Sequence, residues 1–350
     1  MSLKRDLGRA RYAAAQGARV AWYMGQYMLA RRLSGPFNRP DEPKFQPQAD
    51  EGDPVRIRAA FLDLFAKDRA NIEAGLYPAP ADVRFERGLS AVRSSVNFFR
   101  DLPRVDQRRL ERRGTEVRET ARDGRYPPYY LQNFHYQSGG WLSEESAKLY
   151  DTQVEILFGG AADAMRRIAL GSLARGWPGR DQSKVKLVDR ACGNGRFLSQ
   201  VLAAFPRIAA TGLDLSPAYC AEARARLADY AQVEIVTGAV EQAPFDDASV
   251  DAATCVYLFH ELPPRVRREA AREMARMLKT GGVLVLADSI QTGDAPDLDR
   301  MLEYFPVGFH EPFFGSYLNE DFAALFAEAG LELEDTELAF LTKVMRFRKR

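Results

Sequence analysis

The chain has 350 residues, of which 46% are apolar and 28% are charged, and its formal net charge is +1. This length and composition are typical of a globular protein with one large domain or two modest domains. The near-neutral charge argues against a general nucleic-acid binder, for which a strongly basic domain is expected.

Cysteine usage indicates a reducing compartment, and the absence of long apolar runs argues against a membrane helix. The three cysteines, Cys192, Cys220 and Cys255, form no CxxC pair. We therefore expect buried thiols rather than disulfides or a structural zinc site. No apolar stretch reaches the roughly 20 residues that a membrane helix needs, and the N-terminus lacks the layout of a signal peptide. These features predict a cytoplasmic protein.

Residues 1–33 form a basic segment with a helical apolar pattern. Apolar side chains recur at helical spacing at Val20, Tyr23, Met24, Tyr27 and Met28, which predicts an amphipathic helix. Such a helix can lie on an anionic membrane surface, at the inner face of the membrane. We favour the alternative that it docks on its own domain or on the partner subunit of a homodimer. Against a single Asp6, the basic residues are Lys4, Arg5, Arg9, Arg11, Arg19, Arg31 and Arg32.

The next segments read as a linker followed by helices. Residues 34–54 are rich in Pro, Asp, Glu and Gln, as linkers often are. Arg104 to Arg122 predicts a charged helix, and a solvated helix face explains its arginines better than a nucleic-acid site does. We predict that residues 1–125 form a helical N-terminal cap or oligomerisation region. Two apolar stripes support helices over 55–122: Ile57, Phe61, Leu64 and Phe65, then Leu89, Val92, Val96 and Phe99.

Residues 126–182 are predicted to connect this region to the core and to cover it. Tyr126 to Trp141 is dense in aromatic and turn-forming residues, which suits neither a plain helix nor a plain strand. A loop of this kind either packs as a plug between domains or lines a ligand pocket. A single helix is expected to follow, from about Ser143 to Ser172.

From residue 183 to 350 the pattern alternates strands with helices. This alternation predicts an α/β fold: a Rossmann-like, doubly wound, mostly parallel sheet of seven strands with helices on both faces. An irregular insertion, at about 291–317, is expected to act as a substrate lid. The predicted strands are 185–190, 208–213, 232–236, 250–255, 282–288, 331–336 and 338–347, and the predicted helices are 195–204, 217–229, 264–279 and 320–329.

A glycine turn follows the first of these strands. Gly193-Asn194-Gly195 stands between a buried strand and a helix, where bare backbone N–H groups can approach a ligand. A nicotinamide-dependent dehydrogenase is the rival interpretation, but its third glycine would fall at Leu198. Downstream, Asp214 ends the second strand, where a carboxylate can accept hydrogen bonds from both ribose hydroxyls.

Four motifs in order resemble the class I S-adenosylmethionine-dependent methyltransferases. They read LVDRACGNG at 187–195, GLDLS at 212–216, TGAVEQAPFDDASVDAATCVYLFHELP at 237–263 and LKTGGVLVLADS at 278–289. Each motif is weak alone, whereas the ordered set over about 100 residues is specific. The resemblance implies S-adenosyl-L-methionine as cofactor and S-adenosyl-L-homocysteine as product, and it covers roughly residues 144–350.

The resemblance also assigns cofactor-binding residues. Asp189 would orient the turn and the methionine amino group, and Asp214 would hold the ribose. Two departures from the family pattern are Ala191, where a glycine is frequent, and Ala239, where an acidic residue is frequent, so that Glu241 or the backbone must bind the adenine amino group. The remaining assignments are Cys192, Gly193, Asn194 and Gly195 in the turn, Leu215 and Val240 against the adenine, and Tyr257 near the methionine portion. Ordinary core packing is the alternative for Leu215, Val240 and Tyr257.

The three histidines each follow a phenylalanine, and three interpretations compete for them. A histidine among aromatic residues is most often structural. A general base is the second interpretation, with His260 first and His310 second, and with His135, Tyr257 and Glu261 as further catalytic candidates. A metal site of all three histidines and a glutamate is the third, but their spacing is not that of a metal motif, and we expect no metal.

The predicted function is methyl transfer to a small, apolar or aromatic acceptor, on oxygen, nitrogen or carbon. The aromatic segments around Trp141 and at Tyr304 to Phe314 suggest a quinone-like, polyketide-like or lipid molecule. The predicted partner is thus a small molecule and not a nucleic acid. Two alternatives stay open: a non-catalytic cofactor-binding or assembly protein, and a lipid or quinone methyltransferase recruited to a membrane by the basic N-terminal helix.

Overall fold

A computed structural model describes residues 2–36, 44–80, 88–121, 124–177 and 181–350. Of the residues used above, Arg122 and the side chains of Lys4, Arg5 and Leu89 lie outside this described part. Its α-helices are α1 (Ser2–Leu33), α2 (Pro54–Glu73), α3 (Gly88–Glu111), α4 (Val117–Thr120), α5 (Glu144–Leu157), α6 (Ala162–Gly176), α7 (Arg196–Ala204), α8 (Pro217–Arg226), α9 (Pro264–Met277), α10 (Pro296–Gly308), α11 (Phe314–Tyr317) and α12 (Phe322–Glu328).

Seven strands form one sheet in the order β3-β2-β1-β4-β5-β7-β6. Strands β1 to β5 are parallel, and β7 lies antiparallel between β5 and β6. The sheet order reverses between β1 and β4, and such a reversal opens a crevice at the carboxyl ends of the strands. The strands are β1 (Lys186–Arg190), β2 (Ala209–Asp214), β3 (Val233–Thr237), β4 (Val250–Val256), β5 (Leu278–Ser289), β6 (Leu331–Ala339) and β7 (Thr342–Lys349).

Helices cover both faces of the sheet, so the predicted doubly wound α/β fold is confirmed. Helices α2, α6 and α7 pack on one face around Met165, Leu198 and Val285, and helices α9 and α12 pack on the other around Met274 and Phe326. Strand β5, which lies between β4 and β7, is buried continuously from residue 282 to 288, as expected of an interior strand covered on both faces. All three cysteines are buried and free, as predicted.

The helix predicted over 143–172 is wrong, because the chain folds there into two helices. Gly159 and Gly160 separate α5 from α6, with φ angles of +56° and +84°. A Cβ atom on Gly160 would lie 3.0 Å from the Arg19 carbonyl oxygen. The break therefore also makes room for the close passage of α1.

Two further predictions about helices need correction. The insertion 291–317 is not irregular: it contains α10 and α11, and its Leu302 and Phe314 form a small apolar cluster with Ile57. Arg104 to Arg122 is not a separate helix, since α3 runs through Pro103 to Glu111 and α4 follows. The α3 stripe leaves Val92 and Val96 exposed.

The N-terminal helix docks on its own chain through buried polar contacts. Asp68 on α2 accepts hydrogen bonds from the hydroxyls of Tyr12 on α1, at 2.5 Å, and Tyr77, at 2.7 Å. The same carboxylate pairs with the buried guanidinium of Arg167 on α6, at 2.7 Å. One buried charge thus joins three helices, and its partners satisfy it.

Candidate active site

The glycine turn after β1 presents backbone to the crevice. Ala191, Gly193 and Gly195 have φ angles of +55°, +55° and +76°, a region that glycine adopts easily and alanine at a cost. A Cβ on Gly195 would lie 3.2 Å from atoms of Ala223 and Leu227, whereas a Cβ on Gly193 would meet nothing closer than a Tyr219 ring atom at 3.9 Å. Gly195 therefore serves helix packing, and Gly193 leaves room for a ligand.

Asp214, at the end of β2, faces the same crevice. Its carboxylate accepts hydrogen bonds from the backbone N–H groups of Gly193 and Ser216, both at 2.9 Å. Burial raises the pKa of this carboxyl, although the backbone donors oppose the rise. These contacts fix the carboxylate next to the glycine turn while its remaining lone pairs stay available to a ligand.

An open cleft of about 770 Å³ of empty space, partly continuous with solvent, runs along these strand ends. We call it the main cleft. Its walls are rich in aromatic side chains from the 126–141 loop, α5 and α8. The residues that line it are Tyr129, Tyr130, Phe134, Trp141, Tyr150, Ala191, Gly193, Leu213, Asp214, Leu215, Tyr219, Gly238, Val240, Val256, Tyr257, Leu258, Glu261 and Leu262.

A smaller cleft of about 350 Å³ adjoins the main cleft below the glycine turn. Asp189 lines it, and the Thr254 hydroxyl donates a hydrogen bond to its carboxylate at 2.7 Å. Burial raises the pKa of Asp189 to about 7, against the effect of the Thr254 hydrogen bond. Arg166, on α6, lines the same cleft, and its Nη1 atom lies 3.2 Å from Asp163. A carboxyl group and a guanidinium thus face one small space, which suits a zwitterion.

The structure brings most of the predicted cofactor residues to these two clefts. Cys192 and Asn194 line the smaller cleft along with Asp189. Ala239, Gly195 and Glu241 are not among the residues that line either cleft in the described chain. The Glu241 carboxylate instead accepts a hydrogen bond from the Tyr129 hydroxyl, at 2.8 Å. Its predicted bond to an adenine amino group therefore stays a prediction.

Tyr257, directly after β4, lines both clefts. Its φ angle is +58°, and its hydroxyl lies 2.6 Å from the Thr342 hydroxyl on β7. Burial raises the pKa of this phenol. The side chain is thus held in place between the sheet and the two clefts.

His260 lies behind the wall of the main cleft and pairs with Asp288 at the end of β5. Its Nδ1 atom is 2.5 Å from the Asp288 carboxylate, which also accepts the Phe259 N–H at 2.7 Å. Burial alone would lower the pKa of His260, but the charge and hydrogen bond of Asp288 raise it to about 10. The pairing with Asp288 favours the imidazolium form, in which neither ring nitrogen has a lone pair for a proton.

His135 lies in the aromatic loop and His310 contacts it, but neither is among the described residues that line either cleft. His310 lies with its Nε2 atom 2.8 Å from the Gln132 side-chain oxygen, and burial lowers its pKa. His135 lies with its Nε2 atom 2.7 Å from the buried Glu311 carboxylate.

Glu261 is the catalytic candidate that does line the main cleft. It belongs to the short turn Phe259–Glu261, which the pair of His260 and Asp288 holds against β5. Burial and then the nearby charge of Glu311 raise the pKa of Glu261 well above its usual range. It is a carboxyl group of altered acidity at the side of an aromatic cleft, as catalytic carboxyls often are.

Sequence reasoning missed Arg166, Tyr150 and Tyr219 as cleft residues. Arg166 lies on α6, which precedes all the family motifs, so no motif pointed to it. The tyrosines occupy helical apolar positions, as ordinary core residues do. The loop 126–141, for which lining a pocket and plugging a gap were both open, contributes Tyr129, Tyr130, Phe134 and Trp141 to the lining.

Part of the α/β region is similar in sequence to known methyltransferases. Residues 187–282 match a family model described as a methyltransferase domain. A demethylmenaquinone methyltransferase of Thermotoga maritima is 27% identical over 192 residues, which cover 53% of this chain and 79% of that protein. A demethylmenaquinone methyltransferase of Chlorobaculum tepidum is 30% identical over 167 residues, or 47% of this chain and 64% of that protein. The solved structure of the mitomycin 7-O-methyltransferase MmcR has a TM-score of 0.47 at 18% identity and covers 80% of this chain and 75% of that one.

The sheet order and the crevice at the strand ends define a Rossmann-like nucleotide-binding protein. The glycine turn, Asp214 and the sequence matches support a class I S-adenosylmethionine-dependent methyltransferase, with a methyltransferase domain at residues 187–282. Its cofactor is S-adenosylmethionine, and the open space over Gly193 fits that ligand. In the part of the chain that the structure describes, no helix is both long and apolar enough to cross a membrane.

Proposed function

We propose that this enzyme methylates a small aromatic acceptor that carries an acidic hydroxyl, such as a reduced quinone. The observation that supports this most directly is the main cleft, in which aromatic rings surround a carboxyl group of raised pKa, Glu261. Flat aromatic ligands stack on such rings, and a single polar group orients them. The demethylmenaquinone methyltransferases that resemble this chain point to the same acceptor class.

The cofactor would bind along the glycine turn with its ends in the two clefts. Asp214 would accept hydrogen bonds from the ribose hydroxyls, and Leu215 and Val240 would pack on the adenine. Asp189 would bind the amino group of the methionine portion and Arg166 its carboxylate, because both side chains line the smaller cleft. Bound S-adenosylmethionine supplies an electrophilic methyl group on a sulfonium sulfur.

In this proposal Glu261 receives the hydroxyl proton of the acceptor. The electron pair that is released attacks the methyl carbon, either from the oxygen or from the ring carbon beside it, while the carbon–sulfur bond breaks and its pair stays on sulfur. Because burial raises its pKa, the Glu261 carboxylate is a more basic proton acceptor than an exposed carboxylate. His260 and Asp288 act as positioning residues, because they hold the turn that bears Glu261.

Methyl transfer from labelled S-adenosylmethionine to reduced demethylmenaquinone and to catechol tests this proposal. We expect a methylated product whose mass and fragmentation identify the oxygen or carbon that was modified. Glu261→Gln should lower kcat by about 100-fold or more and leave S-adenosylhomocysteine affinity unchanged, as removal of a general base does. Glu328→Gln, on the exposed side of α12, is the matched control. Absence of transfer to every aromatic hydroxyl compound, or full activity of Glu261→Gln, would refute the proposal.

The outer face of α1 supports a second proposal, recruitment to an anionic membrane surface, where apolar quinones reside. Trp22, Leu29 and Leu33 are exposed, and their spacing of seven and four residues places them on one side of the helix. Arg31 and Arg32, also exposed, flank this apolar strip, as is typical of interfacial helices. Trp22→Ser with Leu29→Ser should abolish sedimentation with phosphatidylglycerol vesicles. Equal sedimentation of the native and variant proteins would contradict this recruitment.

A further inference from the structure

We propose that His135, Glu261 and Glu311 bind a divalent first-row transition-metal ion beside the main cleft. The three residues come from separate segments: the aromatic loop, the turn after β4 and the turn after α10. Their potential ligand atoms all lie within 4.8 Å of one another. Ligands of one ion with bonds of about 2.1 Å lie about 3 to 4.2 Å apart, so small side-chain rotations would complete the site.

Glu311 shows why this cluster is more than a group of acidic residues. Its side chain is 0% exposed, and its Oε1 atom lies 2.7 Å from the His135 Nε2 atom. Neither carboxylate oxygen makes a hydrogen bond of good geometry within the described chain. Because a buried carboxylate without donors is costly, the buried Oε2 atom, which accepts no hydrogen bond, is suited to bind a cation.

The backbone at His135 is left-handed, and hydrogen bonds of a neighbouring side chain stabilise it. His135 and Tyr136 both have left-handed φ angles, +55° and +56°, which cost about 1 kcal/mol or more each. The buried Asn133 side chain stabilises this turn, since it accepts the Val117 N–H at 3.1 Å and donates to the Gln137 carbonyl at 2.9 Å. Strain of this kind is frequent where a side chain must be aimed at a ligand.

Aromatic rings fix the direction of the imidazole. The His135 ring centroid lies 5.5 Å from that of Phe309, 6.0 Å from that of Phe305 and 6.3 Å from that of Trp141. These contacts leave the Nε2 atom directed at Glu311. Such support for a ligand side chain is a common property of built metal sites.

The donor set indicates the class of ion. Two carboxylates would neutralise a divalent charge, and one imidazole favours Mn²⁺, Fe²⁺ or Zn²⁺ over Mg²⁺ or Ca²⁺, which prefer oxygen donors alone. Three protein ligands leave coordination positions open, as in catalytic metal sites. Glu261 lines the main cleft, so an ion bound to one of its carboxylate oxygens would polarise the hydroxyl of an acceptor, while the other oxygen receives the hydroxyl proton. This role rests on the proposed function, whereas metal binding itself does not.

Manganese binding to the metal-free full-length protein tests the site directly. Titration with Mn²⁺, followed by electron paramagnetic resonance and calorimetry, should show one ion per chain. Glu311→Gln and His135→Asn should each weaken binding at least tenfold, since loss of even a supporting residue costs that much. Asparagine is chosen for His135 because it tolerates the left-handed backbone.

Two control variants keep the result specific. His310→Gln and Glu328→Gln carry the same kinds of substitution outside the cluster and should bind Mn²⁺ as the native chain does. Failure of the native chain to bind Mn²⁺ or Zn²⁺, or native affinity in both Glu311→Gln and His135→Asn, would overturn the metal site. Calorimetry with S-adenosylhomocysteine in chelator reports cofactor binding separately, and the acceptor assay reports the proposed function, so the two failures are distinguishable.

Discussion

Replacement of Asp189 by Asn removes a carboxyl group that the fold keeps out of water. Burial raises its pKa from 3.8 to about 7 in the folded chain, so the folded state binds this proton more tightly than the unfolded state does. Its contribution to stability is therefore complete below about pH 4 and is lost as the pH rises through 7. Asparagine cannot titrate, so the variant escapes this loss.

The size of the effect follows from the pKa. Each pH unit between the two pKa values changes the free energy of unfolding by about 1.4 kcal/mol. Of the range from pH 5 to pH 8, only about two pH units, from 5 to 7, lie between the two pKa values. Relative to the native chain, Asp189→Asn should therefore gain about 3 kcal/mol over that range. An unsatisfied amide N–H in the variant would lower its free energy of unfolding equally at pH 5 and at pH 8, so the expected change between the two pH values would remain.

Urea unfolding followed by tryptophan fluorescence, at pH 5 and at pH 8, measures this difference. Asp229→Asn, at an exposed position after α8, is the control. Its free energy of unfolding should differ from that of the native chain by the same amount at pH 5 and at pH 8. If Asp189→Asn and the native chain differ in free energy of unfolding by the same amount at pH 5 and at pH 8, the raised pKa of Asp189 is refuted. The same variant should weaken S-adenosylhomocysteine binding at pH 8, where Asp189 is ionised and would pair with the amino group.

Four other substitutions test the turn and the docking of α1. Gly193→Ala should lower S-adenosylhomocysteine affinity at least tenfold with about 1 kcal/mol of destabilisation. Gly195→Ala, whose Cβ would lie 3.2 Å from atoms of Ala223 and Leu227, should destabilise by about 2 to 3 kcal/mol. Calorimetry and urea unfolding separate the two variants, and equal affinities and stabilities would contradict the distinction. Ala191→Gly should stabilise by about 0.5 to 1 kcal/mol, because relief of a left-handed alanine exceeds the added chain entropy; a lower urea midpoint would count against it. Asp68→Asn should destabilise by about 3 kcal/mol because it removes the carboxylate charge that faces the buried Arg167 guanidinium, and an unchanged melting temperature would contradict that account.

Local patterns were sufficient for the sheet and the glycine turn. Strand β1, the turn at Gly193 and Asp214 lie within 30 residues of one another, and each has a distinct signature in apolar run, glycine spacing or charge. The break at Gly159 could not be placed, because adjacent glycines inside a helical pattern give no sign of whether another helix passes close by. The helix that passes close to this break is α1, which is more than 120 residues away in the sequence.

The sequence by itself determined the fold class, the cofactor and the strand ends at which the site lies, because backbone geometry and apolar periodicity are local properties of the chain. Only the tertiary structure placed Arg166 opposite Asp189 and brought His135 to Glu311. It also separated Glu261, which lines the main cleft, from His260, which Asp288 holds behind it. The acidity of a side chain depends on burial and on neighbours distant in sequence, so spacing alone could not assign these roles.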